Sequence, residues 1–129
     1  MGGRGQNYSI VKRLPNFKCA IVPRNKLKNY ILNPGKSPDK AKFFASIGYN
    51  MRNWERFMAD VKKKVRTNKA LKYRTDKYGQ TEYQVNMQIG ITRKRMVATG
   101  WVVRKGSSKP QFVTAYQNKK LEGKSGLNE

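Results

Sequence analysis

The sequence contains no histidine and a single cysteine, Cys19. Without histidine the chain can use neither histidine-based acid–base catalysis nor the zinc sites that combine histidine with cysteine. One cysteine excludes a disulfide within the chain and a zinc site made of cysteines alone. We therefore expect no metal site, no cofactor and no disulfide partner.

Acidic residues and long apolar runs are also scarce. Asp and Glu together number 7 and show no clustered spacing typical of metal ligands. No apolar run approaches the roughly 20 residues of a membrane-spanning helix, and the N-terminus lacks the apolar core of a signal peptide. We expect no membrane partner. An amphipathic helix around Trp54 still leaves open binding to an anionic lipid surface, which liposome flotation tests.

Positive charge, by contrast, dominates the composition. Lys and Arg number 29, which gives a formal net charge of +22. Solubility of a small domain needs a net charge of only about 2 to 8, so the excess predicts a polyanionic partner. Contacts between these side chains and phosphates release counterions and give strong, salt-dependent binding. The sequence therefore predicts binding to nucleic acid, and RNA is the expected partner.

The first half of the chain is mainly helical in pattern. Residues 1–14 are polar and glycine-rich and predict a flexible lead, and residues 19–22 predict a first strand that ends at Pro23. Apolar residues at helical spacing then predict three helices, at residues 24–32, from Ser37 to near Gly48, and from Asn50 to Val65. Ala41, Phe44 and Ala45 are expected to point inward from the second of them.

The second half alternates between apolar and polar residues, which is typical of half-buried strands. Strands are predicted at residues 71–75, 81–91, 96–104 and 111–116. The expected fold is α+β, with N-terminal helices packed on a four- to five-stranded antiparallel sheet. One domain at residues 15–117 is expected between the flexible lead and a flexible tail at residues 118–129.

Polar side chains on the longest predicted strand indicate a groove for a phosphate backbone. Gln84, Asn86 and Gln88 share one face, joined by Thr99 or Arg104 depending on the register of the next strand. We predict that Gln84 and Asn86 contact RNA. Further phosphate contacts are predicted at the basic end of the third helix, by Lys62, Lys63 and Arg66. Five aromatic residues can either stack on bases or pack in the core: Tyr73, Tyr78, Tyr83, Trp101 and Tyr116. Packing is the expectation for Trp101.

Short motifs, in a consistent order along most of the chain, resemble a toxin-associated bacterial domain. They are Leu14-Pro15-Asn16, Ile21-Val22-Pro23, Lys26-Leu27, Tyr30-Ile31-Leu32-Asn33-Pro34, Lys40-Ala41-Lys42-Phe43-Phe44, Gly48-Tyr49, Trp101 and Val113-Thr114-Ala115-Tyr116. That domain is similar to the barnase/EndoU/colicin/RelE class of nucleases. Members of this class form the toxic C-terminal tips of contact-dependent inhibition proteins and other polymorphic toxins.

The resemblance implies a fold of this class, cleavage of RNA, often tRNA, without a metal, and a cognate immunity protein that is commonly acidic. It also implies delivery as part of a larger secreted or cell-surface toxin, with action in the cytoplasm of the target cell. Many members carry a polar or histidine-containing stretch just before the Lys-Ala motif. This chain has Gly-Lys-Ser-Pro-Asp at residues 35–39, so a histidine mechanism does not transfer.

Metal-free cleavage by attack of the ribose 2′-hydroxyl needs a base, cations for the developing charge and an acid for the leaving oxygen. A histidine-free subset of the class uses lysine, arginine and tyrosine. We therefore predict that Lys40 is catalytic and that Asp39 orients it or takes part in proton transfer. Thr114 is predicted to hydrogen-bond the scissile phosphate, Tyr116 to stack on a base or pass a proton, and Arg104 to neutralise charge.

Two other functions fit the same composition. A non-catalytic basic RNA-binding protein predicts salt-dependent affinity with no cleavage product. A DNase toxin keeps the biological context but usually recruits a metal through histidines and acids, which this chain lacks.

Overall fold

The computed structural model describes residues 8–121. Five antiparallel strands form one open sheet in the order β1-β2-β3-β4-β5, so each strand pairs with its neighbour in sequence. The strands are β1 Tyr8–Val11, β2 Ala70–Thr75, β3 Thr81–Ile89, β4 Arg95–Val103 and β5 Gln111–Gln117. The helices lie on one face of this sheet, and the predicted α+β arrangement is confirmed.

The helical segments occupy the chain between β1 and β2. They are a 3-10 turn at Phe17–Cys19, α1 at Arg24–Lys26 with a π-helical continuation at Leu27–Ile31, α2 at Pro38–Ser46 and α3 at Trp54–Val65. Pro38 occupies the first turn of α2, where its missing N–H costs nothing. The side chain of Asn53, the residue before α3, accepts a hydrogen bond from the Asn50 amide at 2.7 Å. Asn50 in turn accepts bonds from the amides of Arg52 and Asn53, so it caps the turn that precedes the helix.

The core lies between the helices and one face of the sheet. Phe57, Val61 and Val65 of α3 are fully buried because their spacing of four residues puts them on one side of the helix. They pack against the apolar residues of β3, β4 and β5 that point the same way: Tyr83, Val85, Met87, Ile89, Val97, Trp101, Phe112 and Ala115. The alternate residues of these strands therefore form the opposite face, which carries no helix.

Three predictions in the N-terminal half were wrong. The strand predicted at residues 19–22 is reduced to one parallel bridge between Ile21 and Gln111, because Pro23 has no N–H with which to extend the pairing. The flexible lead predicted for residues 1–14 gives way to β1 from Tyr8 onward, and Leu14 is fully buried. Residues 1–7 of that lead, and residues 122–129 of the predicted tail, lie outside the described part. Ala45, predicted to point inward from α2, is exposed.

The register of β4 decides whether Thr99 or Arg104 shares the face of Gln84. Thr99 pairs with Val85 and faces the core, where its hydroxyl donates to the Val85 carbonyl at 2.8 Å. The same oxygen accepts a hydrogen bond from Nε1 of Trp101 at 2.8 Å. Trp101 is 1% exposed, which confirms its expected packing role. Arg104 is exposed just after β4 and belongs to the other face.

Thr99→Val is expected to destabilise the fold by about 1–3 kcal/mol, because it leaves the buried Trp101 N–H without its acceptor. Urea unfolding measures this as a lower midpoint at unchanged slope. The matched control is Thr114→Val, the same change on the helix-free face, for which we expect a smaller shift because the Lys40 ammonium that loses its acceptor is only partly buried. Equal midpoints for the two variants would contradict the assigned role of Thr99.

Candidate functional site

The helix-free face of the sheet forms an open pocket of about 480 Å³. Across its centre, Gln84, Gly100 and Thr114 are cross-strand neighbours on β3, β4 and β5. A Cβ atom at Gly100 would lie 3.1 Å from Cγ2 of Thr114, so a side chain there would crowd the threonine. Gly100 therefore gives the pocket its floor, with Gln84 on one side and Thr114 on the other.

Lys40 reaches this pocket from α2. Its Nζ donates a hydrogen bond to Oγ1 of Thr114 at 3.0 Å, a partly buried contact across 74 positions in sequence. Lys40 lies in the first turn of α2, where the helix dipole disfavours a cation, so helix stability does not explain its presence. A threonine oxygen that accepts from lysine keeps its own proton free to donate. Lys40 and Thr114 thus present two donors to an anion.

A chain of hydrogen bonds orients Arg104 at the pocket wall. Nη1 of Arg104 donates to Oε1 of Gln80, and Nε2 of Gln80 donates to Oδ2 of Asp76 at 3.3 Å. Oδ1 of Asp76 accepts from the backbone amides of Tyr78 at 2.8 Å and Gln80 at 3.0 Å. The backbone amide of Gln80, above all, holds the pKa of Asp76 below its usual range. The turn between β2 and β3 thereby fixes the guanidinium of Arg104.

Asp76→Asn is expected to lower the melting temperature at pH 7 and to have a smaller effect near pH 3. The folded state favours the ionised carboxylate of Asp76, so its contribution is present above the ordinary pKa of 3.8 and is lost as the pH falls through the lowered pKa. Thermal unfolding of both proteins at the two pH values measures this. The same difference in melting temperature between variant and wild type at both pH values would contradict this role of Asp76.

The floor beside Gly100 carries an amide network. The Tyr73 hydroxyl donates to Oε1 of Gln84 at 3.4 Å, and Nε2 of Gln84 donates to Oδ1 of Asn86 at 2.9 Å. Nδ2 of Asn118 donates to the same Asn86 oxygen at 2.9 Å. Asn86 is only 7% exposed. Asn86 therefore holds Gln84 in place, and its own contact with RNA stays a prediction.

Two further side chains complete the pocket. Tyr116 is 42% exposed on β5 and lines the same face as Thr114. Glu82, two residues before Gln84 on β3, also lines the pocket and is the sole carboxylate among its lining residues within 8–121. Glu82 was not among the predicted site residues, although the strand alternation that predicts Gln84 on the polar face puts Glu82 on the same face.

Most of the predicted catalytic set comes together at this pocket. Thr114, Tyr116 and Arg104 line it, and Lys40 is bonded to Thr114. Asp39 does not join them: it is exposed in the first turn of α2 and forms no ion pair within residues 8–121. Its predicted role in orienting Lys40 has no contact to support it.

The basic end of α3 lies on the other side of the sheet. Lys62, Lys63 and Arg66 are exposed in the helix layer, because the buried side of α3 packs on the core face. The guanidinium carbon of Arg66 lies 6.0 Å from the centre of the Phe17 ring, and its carbonyl accepts a bond from Arg13 at 2.9 Å. These cations are therefore separated from the pocket by the sheet, and their contact with RNA stays a prediction.

Within residues 8–121 no three His, Cys, Asp or Glu side chains are grouped as metal ligands. No helix in the same range has the length and apolar character needed to cross a bilayer.

Comparison with curated proteins found no match, and neither did comparison with solved structures. One protein family does match, described as "Domain of unknown function (DUF6883)", and it covers residues 13–119. That range contains β2 to β5, all the helices and every residue of the pocket described above. Because the match spans most of the sequence, the chain belongs to the DUF6883 family.

Proposed function

We propose that the protein is the toxin domain of a larger antibacterial protein and acts as a metal-independent ribonuclease, with tRNA as the expected substrate. The observation that carries the proposal is the 3.0 Å bond between Lys40 and Thr114. This bond lies beside Arg104 and Tyr116 on a concave sheet face. The net charge of +22 supports a polyanionic substrate.

The scissile phosphate is held first. Lys40 and Arg104 supply two cations, and the hydroxyl proton of Thr114 is free to donate to a phosphate oxygen. Gln80 and Asp76 fix Arg104 before the substrate binds. The negative charge that develops on the phosphate oxygens is therefore stabilised by donors that are already oriented. Preorganised donors of this kind stabilise the transition state more than the ground state.

Proton transfer follows from the remaining groups. Glu82, as the pocket's carboxylate, accepts the proton of the ribose 2′-hydroxyl while the 2′-oxygen bonds to phosphorus. The bond from phosphorus to the 5′-oxygen breaks, and Tyr116 gives that oxygen a proton. The products are a 2′,3′-cyclic phosphate and a free 5′-hydroxyl. Solvent then returns Glu82 and Tyr116 to their starting protonation states.

Several observations support the biological context. Helices that lie between β1 and the antiparallel strands β2 to β5 are compatible with the barnase/EndoU/colicin/RelE class, whose motifs the sequence resembles. The net charge of +22 also fits an acidic immunity protein, which would bind the domain by charge complementarity. On this proposal the domain is delivered by a secreted or cell-surface toxin and acts in the cytoplasm of the target cell.

The chemistry is tested with an RNA in which the ribose at the mapped cleavage position lacks its 2′-hydroxyl. In EDTA, we expect the unmodified RNA to be cut to a cyclic phosphate and the deoxy version to stay intact at that position. Equal cleavage of both would exclude 2′-hydroxyl attack. Binding of both without a product would identify the protein as a non-catalytic RNA-binding protein.

A further inference from the structure

The turn between β3 and β4 docks on the end of α2. We call residues 90–95 the basic turn, with sequence Gly-Ile-Thr-Arg-Lys-Arg. The amides of Ile91 and Thr92 donate to the Ile47 carbonyl at 2.7 and 3.2 Å, and the Thr92 hydroxyl donates to the Ser46 carbonyl at 3.3 Å. These bonds satisfy carbonyls that the end of α2 leaves free, so they fix the turn to the helix.

Two glycines make this docking possible. Gly90 has φ 152°, and a Cβ atom there would lie 1.7 Å from the Arg93 carbonyl oxygen. Gly48 has φ 105°, and its Cβ position lies 2.7 Å from Cβ of Ile91. Neither position accepts a larger residue without moving the backbone. The conformation of the basic turn is therefore set by its own backbone and by α2.

The three cations of the turn contribute nothing to that docking. Arg93 and Lys94 are exposed and Arg95 is half-exposed, and the docking bonds come from backbone amides and Thr92. Within residues 8–121 none of the three forms an ion pair. Three adjacent like charges on an ordered backbone repel one another unless an anion neutralises them. An ordered, uncompensated cluster of this kind fits the backbone of a polyanion.

The basic turn is near the pocket but separate from it. Gly100, on the pocket floor, and Arg95 are five residues apart on β4, about 17 Å along the strand. Lys40 and Ile47 mark the two ends of α2, about 10 Å apart along its axis. A dinucleotide held beside Gly100 is too short to span the about 17 Å along β4 to Arg95, whereas a longer RNA can.

We propose that the basic turn is a second phosphate-binding site, which holds RNA several nucleotides from the bond that is cut. The identity of the polyanion rests on the proposed ribonuclease function. The site makes the enzyme select long or folded RNA over short oligonucleotides. It acts on binding of the substrate and leaves the chemical step unchanged.

The test compares Arg93→Gln/Lys94→Gln with the wild type on a full-length tRNA transcript and on a dinucleotide. We expect KM for the tRNA to rise by about tenfold at unchanged kcat, because two phosphate contacts are lost. Cleavage of the dinucleotide should not change. The slope of log Kd against log salt should fall by about 2.

The matched control is Lys12→Gln/Lys18→Gln, which removes the same charge from exposed side chains. These two lysines lie at the other end of the domain, since their neighbours Arg13 and Asn16 bond to the carbonyls of Arg66 and Ser108. We expect the control to raise KM for the tRNA far less than the turn variant does. The second site would be overturned if KM for the tRNA rose equally in both variants. It would also be overturned if the turn variant cleaved the dinucleotide more slowly to the same extent.

A separate arm distinguishes failure of the site from failure of the ribonuclease proposal. Binding to a 2′-O-methyl RNA, which cannot attack its own phosphate, is measured by fluorescence anisotropy with all three proteins. If the wild type cuts no RNA, the ribonuclease proposal fails, and the anisotropy still decides the site. Weaker binding in the turn variant alone supports it, and equal binding in all three proteins overturns it.

Discussion

Replacing Lys40 by alanine is expected to lower kcat on RNA by about 10²- to 10³-fold, the usual cost of removing one oriented donor from a developing oxyanion. The Lys40 ammonium donates to Thr114 at 3.0 Å, and in the proposed mechanism it supplies a cation to the scissile phosphate. Because the contact is at the edge of the pocket and outside the core, the melting temperature should change little. Single-turnover cleavage of a mapped RNA measures the chemical step directly.

Lys42→Ala is the matched control for Lys40→Ala. Lys42 is on the same helix two residues away, and its side chain is exposed and makes no contact with Thr114. Both variants lose one charge, so a general loss of electrostatic attraction would affect them alike. Equal activities for the two variants would contradict a catalytic role for Lys40.

Replacing Glu82 by glutamine is expected to lower kcat by about 10²- to 10⁴-fold, the range of general acid–base catalysis. Glutamine keeps the shape of the side chain but cannot accept the 2′-hydroxyl proton. KM should stay close to the wild-type value, since in the proposed mechanism the phosphate is held by Lys40, Thr114 and Arg104. Initial rates over a range of RNA concentrations separate the two effects.

Asp39→Asn is the informative comparison for Glu82→Gln. Asp39 is exposed and has no ion pair within residues 8–121, so we expect activity within about twofold of the wild type, as for surface substitutions elsewhere. Loss of activity in Asp39→Asn with full activity in Glu82→Gln would move the proton-transfer role to Asp39.

The sheet was largely predictable from the sequence because apolar and polar residues alternate along its strands. Strict alternation from Tyr83 to Ile89 identifies β3, and the apolar stripe of Phe57, Val61 and Val65 identifies α3. β1 was missed because its four residues are mostly exposed and show no alternation. The π-helical turn at Leu27–Ile31 has the same apolar spacing as an α-helix, so the pattern does not distinguish them.

The candidate site was predictable only in part. Lys40 and Thr114 were selected from motifs 74 residues apart, and their contact depends on how α2 packs against β5. Lys62, Lys63 and Gln84 were grouped by charge and polarity, yet the sheet separates them. Tertiary packing decides which side of a sheet a helix covers. The pattern of charges along the sequence therefore does not predict it.

The most direct test of the ribonuclease proposal is incubation of total bacterial RNA with the protein in EDTA, read on a denaturing gel. The wild type is expected to produce discrete fragments from tRNA-sized species, and Lys40→Ala and Thr114→Val are expected to leave those species intact. RNA that stays whole with the wild type, or identical fragments from all three proteins, would contradict the assignment of this pocket as a ribonuclease site.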